Sequence, residues 1–324
     1  MAPRRIGVLT SGGDAPGMNA AIRAVVRVGI AAGAEVIGVR AGFRGLAAGD
    51  CVALGARSVA HVLTRGGTIL GSARFPEFRE PGWQRQAVER LAGRGIEGLI
   101  VIGGNGSQSG SLALHGLGVP TVGVASTIDN DLAVVETSIG VDTALNSALE
   151  MIDRLRDTAS SHHRAFVVEV MGRHSGYLAL MTGIATGAGL VMTPEQPIPF
   201  AQAEEALRAA YAAGKSHFIV VVAEGSALKA ADLAARLAAA HHGAYEVRLS
   251  VLGHVQRGGS PTAFDRILAT RSAAAAVEAL LAGESGAMAG LVGGRVDLVP
   301  LAEAIRPVVK VTPALCELAD VLAR

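Results

Sequence analysis

Two carboxylates stand two residues apart in Thr127-Ile128-Asp129-Asn130-Asp131. In a turn, side chains at that spacing point roughly the same way. One can take a proton from an attacking hydroxyl while the other helps to hold Mg²⁺ or orients the first. An ordinary Asx-turn with solvated acids gives the same pattern, so the turn needs company before it reads as chemistry. Two glycine-rich turns supply it. Thr10-Ser11-Gly12-Gly13-Asp14-Ala15-Pro16-Gly17-Met18-Asn19 lies between a strand-like and a helix-like stretch, and Gly103-Gly104-Asn105-Gly106-Ser107 repeats the arrangement, with Gly110 just beyond. Such turns let backbone approach a ligand, and a following helix N-terminus favours an anion. Asp14 breaks any GxGxxG fingerprint in the first.

Basic groups beside glycines follow in Met171-Gly172-Arg173-His174 and in Gly253-His254-Val255-Gln256-Arg257-Gly258. Arginine grips phosphate bidentately, so His254 with Arg257 suits a phosphate monoester. Only Lys215, Lys229 and Lys310 are lysines. The Gly214-Lys215-Ser216 triplet has Ala209 where a Walker A loop needs glycine, and it precedes its strand. Arginine and backbone amides must therefore do the phosphate work, and P-loop and protein-kinase chemistry are excluded. The combination points to phosphoryl transfer.

These residues need rigid elements beneath them. Short β-branched runs at Ile6–Leu9, Val36–Val39, Gly98–Ile102, Thr121–Val124, Phe166–Val170, Leu190–Met192, Phe218–Ala223 and Val247–Leu252 alternate with helical spacing, as in Asn19–Ala32, Thr143–Thr158 and Arg271–Leu281. Apolar strands alternating with helices predict mostly parallel sheets covered on both faces. Thr10, Gly103, Thr127, Gly172 and Glu224 each follow a strand, where open α/β sheets bind ligands. A chain of 324 residues predicts two domains. A net charge of +1 and 3 % aromatics leave no footprint for nucleic acid. Cys51 and Cys316 form no metal or redox motif, the first residues lack a signal-peptide pattern, and no apolar run spans a membrane. A reduced, cytoplasmic protein is expected.

Taken together, the motifs resemble the 6-phosphofructokinase family. The likeness runs through Gly7–Arg23, Arg65-Gly66-Gly67-Thr68, Gly71–Pro76, Thr127–Asp131, Asp153–Thr158, Val168–Arg173 and Val251–Pro261. It implies two Rossmann-like α/β/α lobes with the active site between them, in a homotetramer. Residues 1–138 with about 252–305 would bind nucleotide, and about 139–251 with 306–324 would bind the sugar phosphate. The implied reaction passes a phosphoryl group from ATP, with Mg²⁺, to the 1-hydroxyl of fructose 6-phosphate. Carried over residue by residue, Asp129 is the base, Thr127 and Asp131 support it, and Arg74 and Arg173 neutralise the moving charge. Met171, Gly172, Arg173, Glu224, His254 and Arg257 hold the sugar phosphate, and Arg164 and Arg248 reach a neighbour's site. Gly12, Phe43, Arg74, Phe75 and the run Gly104, Asn105, Gly106, Ser107 and Gly110 line the nucleotide site. Arg23, Arg27, Arg156 and Lys215 match an effector site for ADP or phosphoenolpyruvate.

The departures from the family pattern bear on function. Asn105 stands where an Mg²⁺-serving Asp is usual, and a hard cation prefers carboxylate. That substitution implies weaker metal binding or reduced activity and keeps open a non-catalytic, sugar-phosphate-binding paralogue. Gly106 and Ser126 stand where the pyrophosphate-using branch carries Asp and Lys, which favours ATP. Phe43 replaces a common adenine-stacking tyrosine, keeping an aromatic face. Ala56, Ala213 and Gly189 replace two basic residues and an acid of the effector site, implying altered allosteric control.

Overall fold

The computed structural model describes residues 3–240 and 245–323. In chain order the elements are β1 (Arg5–Ser11), α1 (Met18–Ala31), β2 (Glu35–Val39), α2 (Gly42–Ala48), β3 (Cys51–Leu54), α3 (Pro81–Gly93), β4 (Gly98–Gly103), α4 (Asn105–Gly116) and β5 (Thr121–Ala125). Then come α5 (Val141–Ser161), β6 (Arg164–Val170), α6 (Tyr177–Thr186), β7 (Leu190–Met192), α7 (Phe200–Ala212), β8 (Phe218–Ala223), α8 (Ala230–Ala240) and β9 (Glu246–Val251). The last are α9 (Ala263–Leu281), β10 (Ala287–Val292), β11 (Arg295–Pro300), α10 (Leu301–Ala304) and α11 (Pro313–Leu322). Two compact units result: Met1–Thr143 with Arg257–Val308 (unit 1), and Ala144–Gln256 with Val309–Arg324 (unit 2).

Unit 1 is built on a seven-stranded sheet of order β11-β10-β5-β4-β1-β2-β3. The five inner strands run parallel, and β3 and β11 are antiparallel edges. Central β4 is buried along its whole length, as a strand covered on both faces must be. Beneath the acidic turn, Leu132 and Val135 pack with Ala125, Met288 and Val299 and anchor the loop that leaves β5. Unit 2 holds a parallel four-stranded sheet of order β7-β8-β6-β9. Its inner strands β6 and β8 sandwich an aliphatic core against α5 and α6 on one face and α7 and α8 on the other.

All eight expected strands are present, within two residues at each end. Three further strands, β3, β10 and β11, fall outside the expectation. They sit at or near sheet edges: β11 is interrupted by Arg295 and Asp297, and β3 and β10 are apolar but carry a single β-branched residue each, Val52 and Val292, so none shows the β-branched run of an inner strand. The expected helix at Arg271–Leu281 is the second half of α9, which begins eight residues earlier behind a Thr262 cap whose side chain accepts from the Asp265 amide. Among the described residues, no helix is long and apolar enough to cross a membrane.

Candidate active site

In unit 1, three strand ends (β1, β4 and β5) carry the motif residues. The turn after β1 is strapped by the segment Arg65–Ser72. Thr10 Oγ1 bonds Thr68 Oγ1 at 2.7 Å and donates to Gly71 O at 2.9 Å. Asn19 donates to Arg65 O at 3.0 Å and accepts from the Ile69 amide at 2.7 Å, and Ser72 Oγ donates to Gly12 O at 2.6 Å. Arg257 enters the same turn. Its Nη1 donates to Asp14 O at 2.9 Å and lies 2.7 Å from where a Cβ on Gly13 would sit, so a side chain at position 13 would push the guanidinium aside.

The turn after β4 leads straight into α4. Asn105 is the first helical residue, and its Nδ2 donates to Ile305 O at 3.4 Å. Among the described residues, no side chain caps this helix start, and the space above exposed Gly106 is open. An uncapped helix N-terminus is suited to phosphate oxygens. Further along α4, Gly110 lets the Phe43 ring approach, with a Cβ there meeting the ring at 2.6 Å. Phe43 itself is only 4 % exposed and stacks on Phe78 at 4.3 Å. The open aromatic face expected at Phe43 is therefore taken up by the core. The half-buried aromatic beside it is Phe75, edge-on to Trp83 at 5.2 Å and next to exposed Arg74.

The acidic turn follows β5. Asp129 is 8 % exposed, and its amide donates to Thr127 Oγ1 at 3.1 Å. Arg257 Nη2 lies 4.0 Å from Asp129 Oδ1, so this arginine joins the acidic turn to the β1 turn within unit 1. Asn130 adopts a left-handed φ of 50°, a conformation that asparagine tolerates better than other residues with a Cβ. Its side chain accepts from the Ser138 amide at 3.1 Å and donates to Glu136 O at 3.1 Å. Ser138 Oγ donates to Thr127 O at 2.7 Å. The returning limb of the loop thus holds both ends of the turn. Ser138 carries no motif, because nothing in the sequence marks which distant serine closes a loop.

In unit 2 the ends of β6 and β8 meet. The Met171 amide donates to Gln256 Oε1 at 2.8 Å, and the Arg173 amide, at φ 55°, donates to Glu224 Oε1 at 2.6 Å. Gly172 precedes Arg173 and is buried, whereas the Arg173, His174 and His254 side chains are exposed. Burial first, then the Glu224 charge, pushes the Glu169 carboxyl above the usual range, eased by Lys229. Arg164 pairs with Glu246 at 2.5 Å, and Arg248 pairs with the same carboxylate. The Arg164 hydrogen bond holds Glu246 below the usual carboxylate range.

The effector-type residues fall in both units: Arg23 and Arg27 on α1 of unit 1, and Arg156 and Lys215 in unit 2. Arg156 donates to Thr186 O, and Lys215 Nζ donates to Ala323 O at 2.8 Å. Burial, Arg156 and Lys215 together lower the pKa of His217.

Among the described residues, no group of three His, Cys, Asp or Glu side chains could cage a metal. Asp131 and Asn105 are half-buried, and each carries a side-chain oxygen of the kind a hard cation accepts.

The family model described as Phosphofructokinase matches residues 5–280. The ATP-dependent 6-phosphofructokinase 1 of Thermus thermophilus is 54 % identical, the match covering 99 % of each chain. The ATP-dependent 6-phosphofructokinase of Thermotoga neapolitana is 50 % identical over 99 % of this chain and 100 % of its own. Among solved structures, the Pichia pastoris phosphofructokinase in the T-state superposes with a TM-score of 0.89 at 36 % identity over 94 % of this chain, which spans 36 % of the yeast chain's length.

Proposed function

Because the chain belongs to the phosphofructokinase family, we propose that it transfers a phosphoryl group from ATP to the 1-hydroxyl of fructose 6-phosphate, giving fructose 1,6-bisphosphate. The observation that carries this reading is Asp129: a buried carboxylate in a cross-braced turn, with Arg257 4.0 Å away, one glycine-rich turn on adjacent β4 and a second on the next strand, β1.

Phosphoryl transfer asks for positioning and charge neutralisation more than for covalent chemistry. Asp129 accepts the proton of the attacking hydroxyl, and Thr127 Oγ1 fixes the backbone that presents it. Arg74 and Arg173 offset charge on the transferring group. The α4 N-terminus, with Gly104, Gly106, Ser107 and Gly110, takes the nucleotide phosphates, and Gly12 lets them approach β1. Phe75 offers its partly open face to the base, and Phe43 backs that wall from within the core. Glu224, Met171, Gly172, His254 and Arg257 hold the sugar phosphate, so unit 1 serves the nucleotide and unit 2 chiefly the sugar. Asp131 and Asn105 Oδ1 would hold the Mg²⁺ that accompanies ATP, which when bound offsets negative charge on the phosphates.

The protein is further proposed to be a cytoplasmic homotetramer in which Arg164 and Arg248 complete a neighbour's sugar site. Effector control through Arg23, Arg27, Arg156 and Lys215 is altered: Arg156 and Lys215 already donate to backbone carbonyls, and Ala56, Ala213 and Gly189 remove other partners.

Asn105 supports a second reading, a weakly active or non-catalytic paralogue; a pyrophosphate donor is disfavoured by the open space over Gly106. A coupled assay with fructose 6-phosphate and either ATP or pyrophosphate separates the three. ATP alone should support turnover. Preference for pyrophosphate would assign the donor differently, and binding of fructose 6-phosphate without turnover would support the paralogue.

A further inference from the structure

Asp265 lies in the first turn of α9, just past the Val251–Pro261 stretch but 125 residues from Gly140 in sequence, and it is 0 % exposed. A buried carboxylate is costly unless its oxygens are well bonded. Here they accept from the Gly140 amide at 2.8 Å, the Thr143 amide at 2.8 Å and the Thr143 hydroxyl at 2.5 Å. The Thr262 amide in turn donates to Thr143 Oγ1 at 3.0 Å, and Thr262 Oγ1 donates to Asp142 at 2.6 Å. All these groups belong to unit 1. Burial pushes the Asp265 carboxyl above the usual range, while the Thr143 hydroxyl and the two amides pull it back.

What Asp265 holds is the end of the limb that braces the acidic turn. Gly140 follows Ile139, which bridges Ser126, and Ser138, which bonds both Thr127 O and Asn130 Oδ1. A continuous path therefore runs from Asp265 through the Gly140–Ser138 chain to the Thr127 carbonyl and the Asn130 side chain, on either side of Asp129 in sequence. Without Asp265, the first turn of α5 would lose acceptors for two buried amides, and Ser138 would lose its fixed neighbour.

We infer that Asp265 is a positioning residue: by holding Gly140 and Thr143 it fixes the return limb of the Thr127–Asp131 turn and so sets Asp129 against its substrate. It touches no substrate itself. The inference rests on the kinase reading of Asp129.

The test is Asp265→Asn, which keeps size but replaces one acceptor oxygen with a donor, beside Ser138→Ala and the double variant. Misplacing a reacting group by about 1 Å costs on the order of 100-fold in rate. We expect kcat of Asp265→Asn to fall about 10- to 100-fold, with KM for ATP and fructose 6-phosphate within about twofold. Hydrogen exchange should rise across residues 126–143. The double variant should lose less than the product of the two single losses, because both act through one brace. An unchanged kcat in the folded variant, a loss confined to KM, or multiplicative losses in the double variant would overturn the inference. Should Asp265→Asn fail to fold, Thr143→Val, which keeps the Thr143 amide bond to Asp265 but removes the hydroxyl's bonds to Asp265 and the Thr262 amide, takes its place: a fall in kcat with faster exchange across 126–143 supports the inference, and unchanged kcat or exchange overturns it. If the wild type itself made no product, the kinase reading would fall. The exchange map would still decide the brace: faster exchange across 126–143 supports it, and unchanged exchange there refutes it.

Discussion

The acidic turn of unit 1 and the basic cluster of unit 2 are built on opposite plans. Around Asp129 nearly every polar group is committed in advance: Thr127, Asn130 and Ser138 brace one another, and Leu132 and Val135 bury the loop from below. In unit 2 the backbone is fixed by Gln256 and Glu224, but the Arg173, His174 and His254 side chains stand exposed. A group that must move a proton at one atom gains from rigidity. Cations that grip a phosphate can settle onto it after it arrives. The contrast predicts that damage to the first region appears in kcat and damage to the second in KM.

The largest effect short of removing the base should come from Asn130→Ala. It deletes the side-chain bonds to Ser138 and Glu136 and puts alanine at a left-handed φ. We expect about 1–3 kcal/mol of lost stability and a fall in kcat, read by thermal unfolding and steady-state kinetics. A KM-only effect would break the comparison. His254→Ala comes next. Loss of one charge-assisted bond of about 1.5–3 kcal/mol predicts a rise of about 10- to 100-fold in KM for fructose 6-phosphate, with kcat changed less. A kcat-only loss would place His254 with the rigid group.

A smaller effect should come from Glu169→Gln. Burial raises the folded-state pKa of Glu169, so the folded chain holds a proton that the unfolded chain releases. Stability then falls as pH rises from the ordinary glutamate range through that raised value. The glutamine variant should flatten this slope in melting-temperature scans, and an identical slope would contradict it. The smallest effect is expected for Asn105→Asp. A carboxylate favours the nucleotide's metal, yet it cannot donate to Ile305 O. We expect a severalfold lower KM for MgATP with a melting temperature lowered by a few degrees at most. A rate recovered from near zero would instead favour the paralogue reading.

How much of this the sequence discloses follows from where each signal lies. Inner strands such as β4 and β8 are legible because burial on both faces demands an unbroken apolar run. Edge strands β3 and β11 carry no such demand. The motif turns are legible as local patterns of Gly, Asp and Arg. Their braces are not, since Asn19 meets Arg65, Gly140 meets Asp265 and Asp14 meets Arg257 across tens to hundreds of residues. Phe43 shows the same limit from the other side: its aromatic type is plain, but its burial against Phe78 depends on packing that no local pattern encodes.

The most direct test of the account is a coupled assay with ATP, Mg²⁺ and fructose 6-phosphate on the wild type and Asp129→Asn. General-base removal typically costs about 10²- to 10⁴-fold. The account predicts robust product from the wild type and a loss of that order in the folded variant, with substrate binding retained. A wild type without product, or an Asp129→Asn variant that keeps its rate, would contradict it.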